Sequence, residues 1–167
     1  MKTLKRRRKE NKTDYGIRIK LLKGEAPRVV FRKTNRYIIA EYVESSEAKD
    51  DVVMGLTSGK LMNYGWPGDM KGSLKSMPAS YLTGFLLGKK ILHKKLKKPL
   101  MDIGMIRNVN KSKIFAFIKG LIDAGIEIKC NKEAFPEEAR IHGKNLKRDF
   151  SPIFAKIKTK IEEEKLK

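Results

Sequence analysis

The apolar residues of this chain fall into short runs, and the spacing within each run marks an element. Arg28–Thr34 holds Val29, Val30 and Phe31 between Arg28 and Arg32, a β-favouring core. Tyr37–Val43 (YIIAEYV) follows the short link Lys33–Arg36, and so brief a separation predicts an antiparallel hairpin. Asp51–Thr57 (DVVMGLT) reads as a third strand after a polar connection over Ser45–Lys49. From Ser76 the period lengthens. Tyr81, Phe85, Gly88 and Leu92 recur at three- and four-residue steps beside Leu82 and Leu86, which predicts a helix to about Leu96. Ser76 is its N-cap, and Pro78 is tolerated in the first turn. Gly84 and Gly88 leave a flat stripe that lets this helix approach a sheet closely. Pro99–Gly104 (PLMDIG) reads as a buried strand paired parallel. Ser112 caps a second helix to about Ala124, with Ile118 central to its stripe and Gly125 as its stop. Ile126–Cys130 reads as a last short strand, and Ser151-Pro152 opens a final helix carrying Phe154, Ile157 and Ile161 on one side.

Three strands, a helix, a strand and a helix describe an α/β domain with a mixed sheet of β-β-β-α-β-α order. That is the order of ribonuclease-H-like folds, with a right-handed crossover expected before the fourth strand. Three regions follow: a basic arm with a short helix over 1–27, an α/β core over 28–130, and a C-terminal extension with a helix over 131–167. Residues 1–12 read as extended. Thr13 and Asp14 can cap the next stretch, whose Ile17, Ile19, Leu21 and Leu22 pack a short helix onto the body.

Charge changes the picture most at the front of the chain. The first 36 residues carry 14 Lys/Arg against 3 Asp/Glu, so they hold +11 of the formal +20. Lys5, Arg6, Arg7, Arg8 and Lys9 form one cationic run that repels itself until phosphates neutralise it. Tyr15, and then Arg28, Arg32, Lys33, Asn35 and Arg36, add the stacking and hydrogen-bonding groups used on RNA. The hairpin tip thus reads as a rigid basic finger beside a flexible arm. Tyr64 and Trp66, in the Gly-rich loop 58–75, fit two roles: stacking on unpaired bases, or plugging the edge of a small core.

Several function classes fall away. One cysteine, Cys130, excludes an internal disulfide, and with His93 and His142 it makes no zinc pattern, so no metal and no cofactor are expected. No apolar run approaches the roughly 20 residues of a membrane span. The first residues lack the apolar stretch of a secretory signal. A two-metal nuclease on such a sheet needs converging carboxylates, whereas the first strand reads RVVFRKT and Glu41, Asp102 and Asp123 are isolated. Asp102 reads instead as a hydrogen-bonded residue at a strand end. The expectation is an RNA-binding protein that is not an enzyme. The competing reading is a general basic binder of RNA or of anionic surfaces such as a membrane.

The segment RRRKENKTDYGIRIKLLKGEAPRVVFRKTNRYIIAEYV resembles the start of the 5S-rRNA-binding protein family of the large ribosomal subunit, in its archaeal form. YGW, PASYLTGFLLGKK, LMDIGM, KIFAFIKGLIDAGI and PEEARIHGKNL continue the resemblance in order, from Lys5 to about Leu146. Asn11, Ser76 and Glu41 stand where the family often has Gly, Asn and Gln. The resemblance implies a cytoplasmic, non-catalytic ribosomal component that binds 5S rRNA and helps dock it onto the subunit. Its implied partners are 5S rRNA, large-subunit rRNA and neighbouring ribosomal proteins, with no membrane and no obligate homo-oligomer. Carried over by position, the implied contacts are Arg6, Arg7, Arg8, Lys12, Thr13, Tyr15 and Arg18 on the arm. Arg28, Arg32, Lys33, Asn35 and Arg36 join them from the hairpin.

Overall fold

In the computed structural model the described residues are 3–47, 49–146 and 149–163. Met1 and Lys2 of the expected arm, and Glu164 of the expected last helix, lie outside them. Four strands form one mixed sheet: β1 (Arg28–Lys33), β2 (Ile38–Ser46), β3 (Lys49–Thr57) and β4 (Leu100–Asp102), in the order β3-β2-β1-β4. β1 pairs antiparallel with β2 and parallel with β4. The expected hairpin therefore forms, with Phe31 opposite Ala40. The connection after β2 is tighter than the sequence suggested. β2 and β3 stay paired out to Ser46 and Lys49, and the chain reverses at Glu47 with φ at 49°.

Strand alternation gives the sheet two unlike faces. Val29 and Phe31 of β1 point into the core, where the Phe31 ring meets Phe117 at 5.0 Å. Arg28, Val30 and Arg32 occupy the opposite face. The core side is covered by α3 (Met77–His93) and α4 (Lys113–Asp123), which pack on one another. Every residue of α3 from Pro78 to Gly88 is buried. A helix covered by neighbours on several sides must be apolar nearly all round, which PASYLTGFLLG is. Its polar side chains find internal partners: Ser80 Oγ donates to the Lys113 carbonyl at 2.6 Å, and Thr83 Oγ1 to the Ala79 carbonyl at 2.7 Å. Tyr81 Oη donates to Asp123 at 2.6 Å.

The glycine stripe serves a different contact from the one expected. A methyl group at Gly84 would overlap the Phe117 carbonyl of α4, and one at Gly88 would lie 2.6 Å from the Ala124 Cβ. Gly120 of α4 meets the Tyr81 carbonyl in the same way. The stripe brings helix to helix rather than helix to sheet. The sequence could not reveal this, because a small-residue stripe does not name its partner.

Three further expectations are corrected. β4 pairs parallel as expected, but it lies at the sheet edge with Leu100 42% exposed, so it is not buried throughout. Ile126–Cys130 forms no strand; Ile126 is buried as a packing residue without a ladder partner. Residues 1–12 are not simply extended, since α1 (Arg6–Lys9) makes one helical turn.

The chain after Cys130 carries α5 (Glu138–His142) and α6 (Ser151–Glu163). Phe154, Ile157 and Ile161 of α6 are buried as their spacing predicted, in the same core cluster as the sheet. Trp66 is 3% exposed in that cluster, 4.6 Å from the Phe150 ring, and its Nε1 donates to the Met70 carbonyl. Of the two roles open to Trp66, core packing is the one its position allows. Tyr64 is half-buried against the same cluster. Both sit on a 3-10 segment, Ser58–Tyr64 and the turn after it, rather than on an open loop.

Candidate nucleic-acid interface

The arm is a hook. Asp14 caps α2 (Tyr15–Lys23) by accepting from the Gly16 and Ile17 backbone N–H groups at 3.0 and 3.1 Å. Those bonds, foremost the one from Ile17, hold the Asp14 carboxyl below its usual range, and Arg8 beside it adds to the effect. The Arg8 guanidinium pairs with Asp14 and also reaches the Met105 sulfur at 3.6 Å, which ties the arm to the segment after β4. Arg7 Nε donates to Thr13 Oγ1 at 2.9 Å, and Lys5 stands over the Tyr15 ring at 4.5 Å. Arg8, Thr13 and Tyr15 thus shape the hook, while Arg6 keeps its side chain 85% exposed. α2 does not pack through its apolar residues as expected: Ile19 is 54% exposed and no residue of α2 is fully buried.

Ion pairs fasten α2 to the polar face of the sheet instead. Arg18 meets Asp50 at 2.8 Å. Asp50 also receives Arg28 at 2.7 Å and the Ser45 hydroxyl at 2.7 Å. Burial alone would raise the Asp50 carboxyl, but the bonds from Ser45 and Arg18 and the charge of Arg28 hold it below its usual range. Arg28 is 2% exposed and continues to Asp102 at 3.2 Å. The expectation that Arg28 offers its guanidinium outward is not met, because three side chains inside the fold occupy it. Asp102 is the hydrogen-bonded strand-end residue the sequence suggested, accepting from the Gly104 N–H at 2.8 Å. Arg32 folds back rather than projecting from the hairpin tip. It donates to the Phe31 and Asp102 carbonyls at 2.8 and 3.1 Å and stays partly exposed.

The tip itself is held by a residue without a role in the sequence-based expectations. Thr34 Oγ1 donates to the Tyr37 carbonyl at 2.8 Å and accepts from the Tyr37 and Arg36 N–H groups at 2.9 and 3.4 Å. Asn35 and Arg36 are thereby held exposed on a closed turn. A Ser/Thr turn is a known local signal, so Thr34 was detectable from its place in KTNR.

Arm and hairpin meet. Arg7, Asn11 and Lys12 of the arm line one cleft of about 370 Å³ with Arg32 and Lys33 of β1 and with Met105 and Ile106. Beside it, a smaller cavity of about 110 Å³ lies between the hook, α2 and Asp102. Glu10 is the acid next to Lys12, at 2.8 Å, and also faces Arg6 at 3.7 Å. Arg6, Arg7, Lys12, Lys33 and Arg36 are exposed and give this surface its positive charge, with Asn35 exposed beside them. Arg8, Arg18 and Arg28 position it from within. Among the described residues no cluster of His, Cys, Asp and Glu could hold a metal ion.

Residues 1–99 match the family described as ribosomal large subunit proteins 60S L5 and 50S L18. The chain is 40% identical to the large ribosomal subunit protein uL18 of Korarchaeum cryptofilum over 84% of its own length and 70% of the relative's. Its identity to the protein of the same name from Methanothrix thermoacetophila is 36%, covering 89% of this chain and 85% of that one. For the Methanoculleus marisnigri protein the identity is 38%, covering 84% and 78%. A basic hook and hairpin on an α/β body, together with these matches, place the chain in the family of ribosomal large-subunit proteins that comprises 60S L5 and 50S L18, a family of structural proteins and not of enzymes.

Proposed function

We propose that this protein binds 5S rRNA in the cytoplasmic ribosome and helps attach it to the large subunit. One observation carries the reading: the arm and the tip end of β1, separated by α2 in sequence, line a single basic cleft. A backbone of closely spaced phosphates is the ligand such a surface suits, because each neutralised charge releases a counterion. Exposed Arg6 and Arg36 extend the surface on either side, and Asn35 supplies a donor and an acceptor for base edges. The relatives' names say that they are large-subunit proteins, which agrees with an RNA partner of this kind. The test is a competition at one fixed salt concentration between 5S rRNA and an unrelated folded RNA of similar length. Preference for 5S rRNA supports the reading. Equal binding of both, and of anionic vesicles, would replace it with a general binder of anionic surfaces.

A further inference from the structure

Beyond Lys33 the basic surface reaches the start of α4, where a second groove of about 370 Å³ opens. Sites for small molecules run from about 300 to 1,000 Å³, so the groove has room for one nucleotide. The accessible apolar lining of its floor is Met77, Ile106 and the exposed Val109, which lie over the buried Phe31 and Ile114. Its rim is cationic: Lys33, Arg107, Lys113 and Arg140 line it, and none of the four forms an ion pair among the described residues. Lys111, also at the rim, has Glu137 at 3.7 Å. Partial burial, and then the charges of Lys33 and Lys75, depress the Lys113 ammonium, as expected where cations gather without an anion. Ser112, at the N-cap position of α4, has a buried Oγ with no hydrogen-bond partner and leaves the helix start without a side-chain cap.

We infer that this groove receives one unpaired nucleotide of an RNA strand, with its base on the apolar floor and its phosphates on the rim cations. The inference rests on the RNA-binding reading and adds a place for single-stranded RNA. A free inorganic anion has no use for the apolar floor, and an apolar peptide has none for four unpaired cations. Duplex RNA keeps its bases stacked inside and cannot reach the floor. Lys33 and Ile106 line both this groove and the arm–hairpin cleft, so a strand leaving the cleft runs directly into it.

The experiment uses the full chain and fluorescence anisotropy with a short labelled oligouridylate, an abasic strand of equal charge, and 5S rRNA. The oligouridylate should bind several-fold tighter than the abasic strand, because only it can bury a base on the apolar lining. Val109→Asp, at an exposed floor position, should erase that difference. Arg107→Gln with Arg140→Gln should weaken both strands, and circular dichroism should show an unchanged fold. Equal affinity for the two strands, or groove variants without effect, would overturn the inference, as would displacement of the oligouridylate by an acidic, aromatic peptide at lower concentration. If 5S rRNA binds and is weakened by Arg6→Gln with Arg7→Gln while the groove variants change nothing, the groove assignment alone fails. If no RNA binds, the reading beneath it fails as well.

Discussion

Arg28 and Asp102 meet diagonally across neighbouring parallel strands, two positions apart in register, with Nη1 3.2 Å from Oδ2 and both side chains almost wholly buried. The sequence puts a cation where a nuclease of this topology keeps an acid. The structure shows what that cation does: it draws together the carboxylates of Asp50 and Asp102 and the hydroxyl of Ser45. Removing one partner of a buried pair leaves an uncompensated charge, which costs about 3–5 kcal/mol. Arg28→Ala should therefore lower unfolding stability by about that much in denaturant titration. Arg28→Ala combined with Asp102→Asn should cost less than the sum of the two single changes. RNA affinity of the folded fraction should fall less than it does for Arg7→Gln, since the guanidinium positions α2 through Asp50 but does not itself reach solvent.

The contact between α3 and α4 can be tested at its closest points. Gly120→Ala places a methyl group into the Tyr81 carbonyl, where backbone must move. Overpacking of this kind costs about 1–3 kcal/mol, visible as a lower denaturation midpoint. Gly68→Ala meets nothing within 4 Å and should leave the unfolding free energy within about 0.5 kcal/mol.

Acid should loosen the α2–sheet joint. The Asp50 carboxyl is held below its usual range in the folded state, so between the folded and unfolded pKa values the unfolded chain binds more protons. The stability it contributes is complete above the unfolded value of about 3.9 and is lost as pH falls through the folded one. Asp50→Asn should remove this contribution at neutral pH and flatten the stability profile below about pH 4. Chemical denaturation at stepped pH measures both.

Legibility followed periodicity. The hairpin, α3, α4 and α6 are long or strongly patterned, and each lies close to where Phe31, Tyr81, Ile118 and Ile157 suggested. The misreadings share a cause, since a residue type was read without its partner. Arg28 and Arg32 looked like outward cations because Asp50 and Asp102 are distant in sequence. Gly84 and Gly88 looked like a sheet contact because Gly120 is not a neighbour along the chain. The role of Trp66 stayed open between base stacking and core packing because Phe150 lies far downstream. For the same reason Arg107, Lys113 and Arg140 never stood out as a group, scattered as they are over more than thirty positions.

The hook and the hairpin tip should divide the work of binding. Arg6, Arg7 and Lys12 extend from short, solvated structure, with Arg6 and Lys12 near the single acid Glu10. Long side chains in that setting follow phosphates in several registers and carry little sequence information. Changing these three to Gln should weaken 5S rRNA and an unrelated folded RNA alike. It should also flatten the slope of log K against log salt by about 0.7–0.9 for each phosphate left without its cation. Asn35 and Arg36 differ because Thr34 closes their turn with three hydrogen bonds. A fixed backbone can aim planar donors at chosen groups, so Asn35→Ala with Arg36→Ala should cut the preference for 5S rRNA by about 1–3 kcal/mol for each side chain removed. Thr34→Ala removes no RNA-facing charge and only unlocks the turn. It should reduce the affinity ratio between the two RNAs while leaving the salt slope as it was. If Thr34→Ala flattens the slope and spares the ratio, the tip acts as one more phosphate binder and the division between hook and tip is wrong.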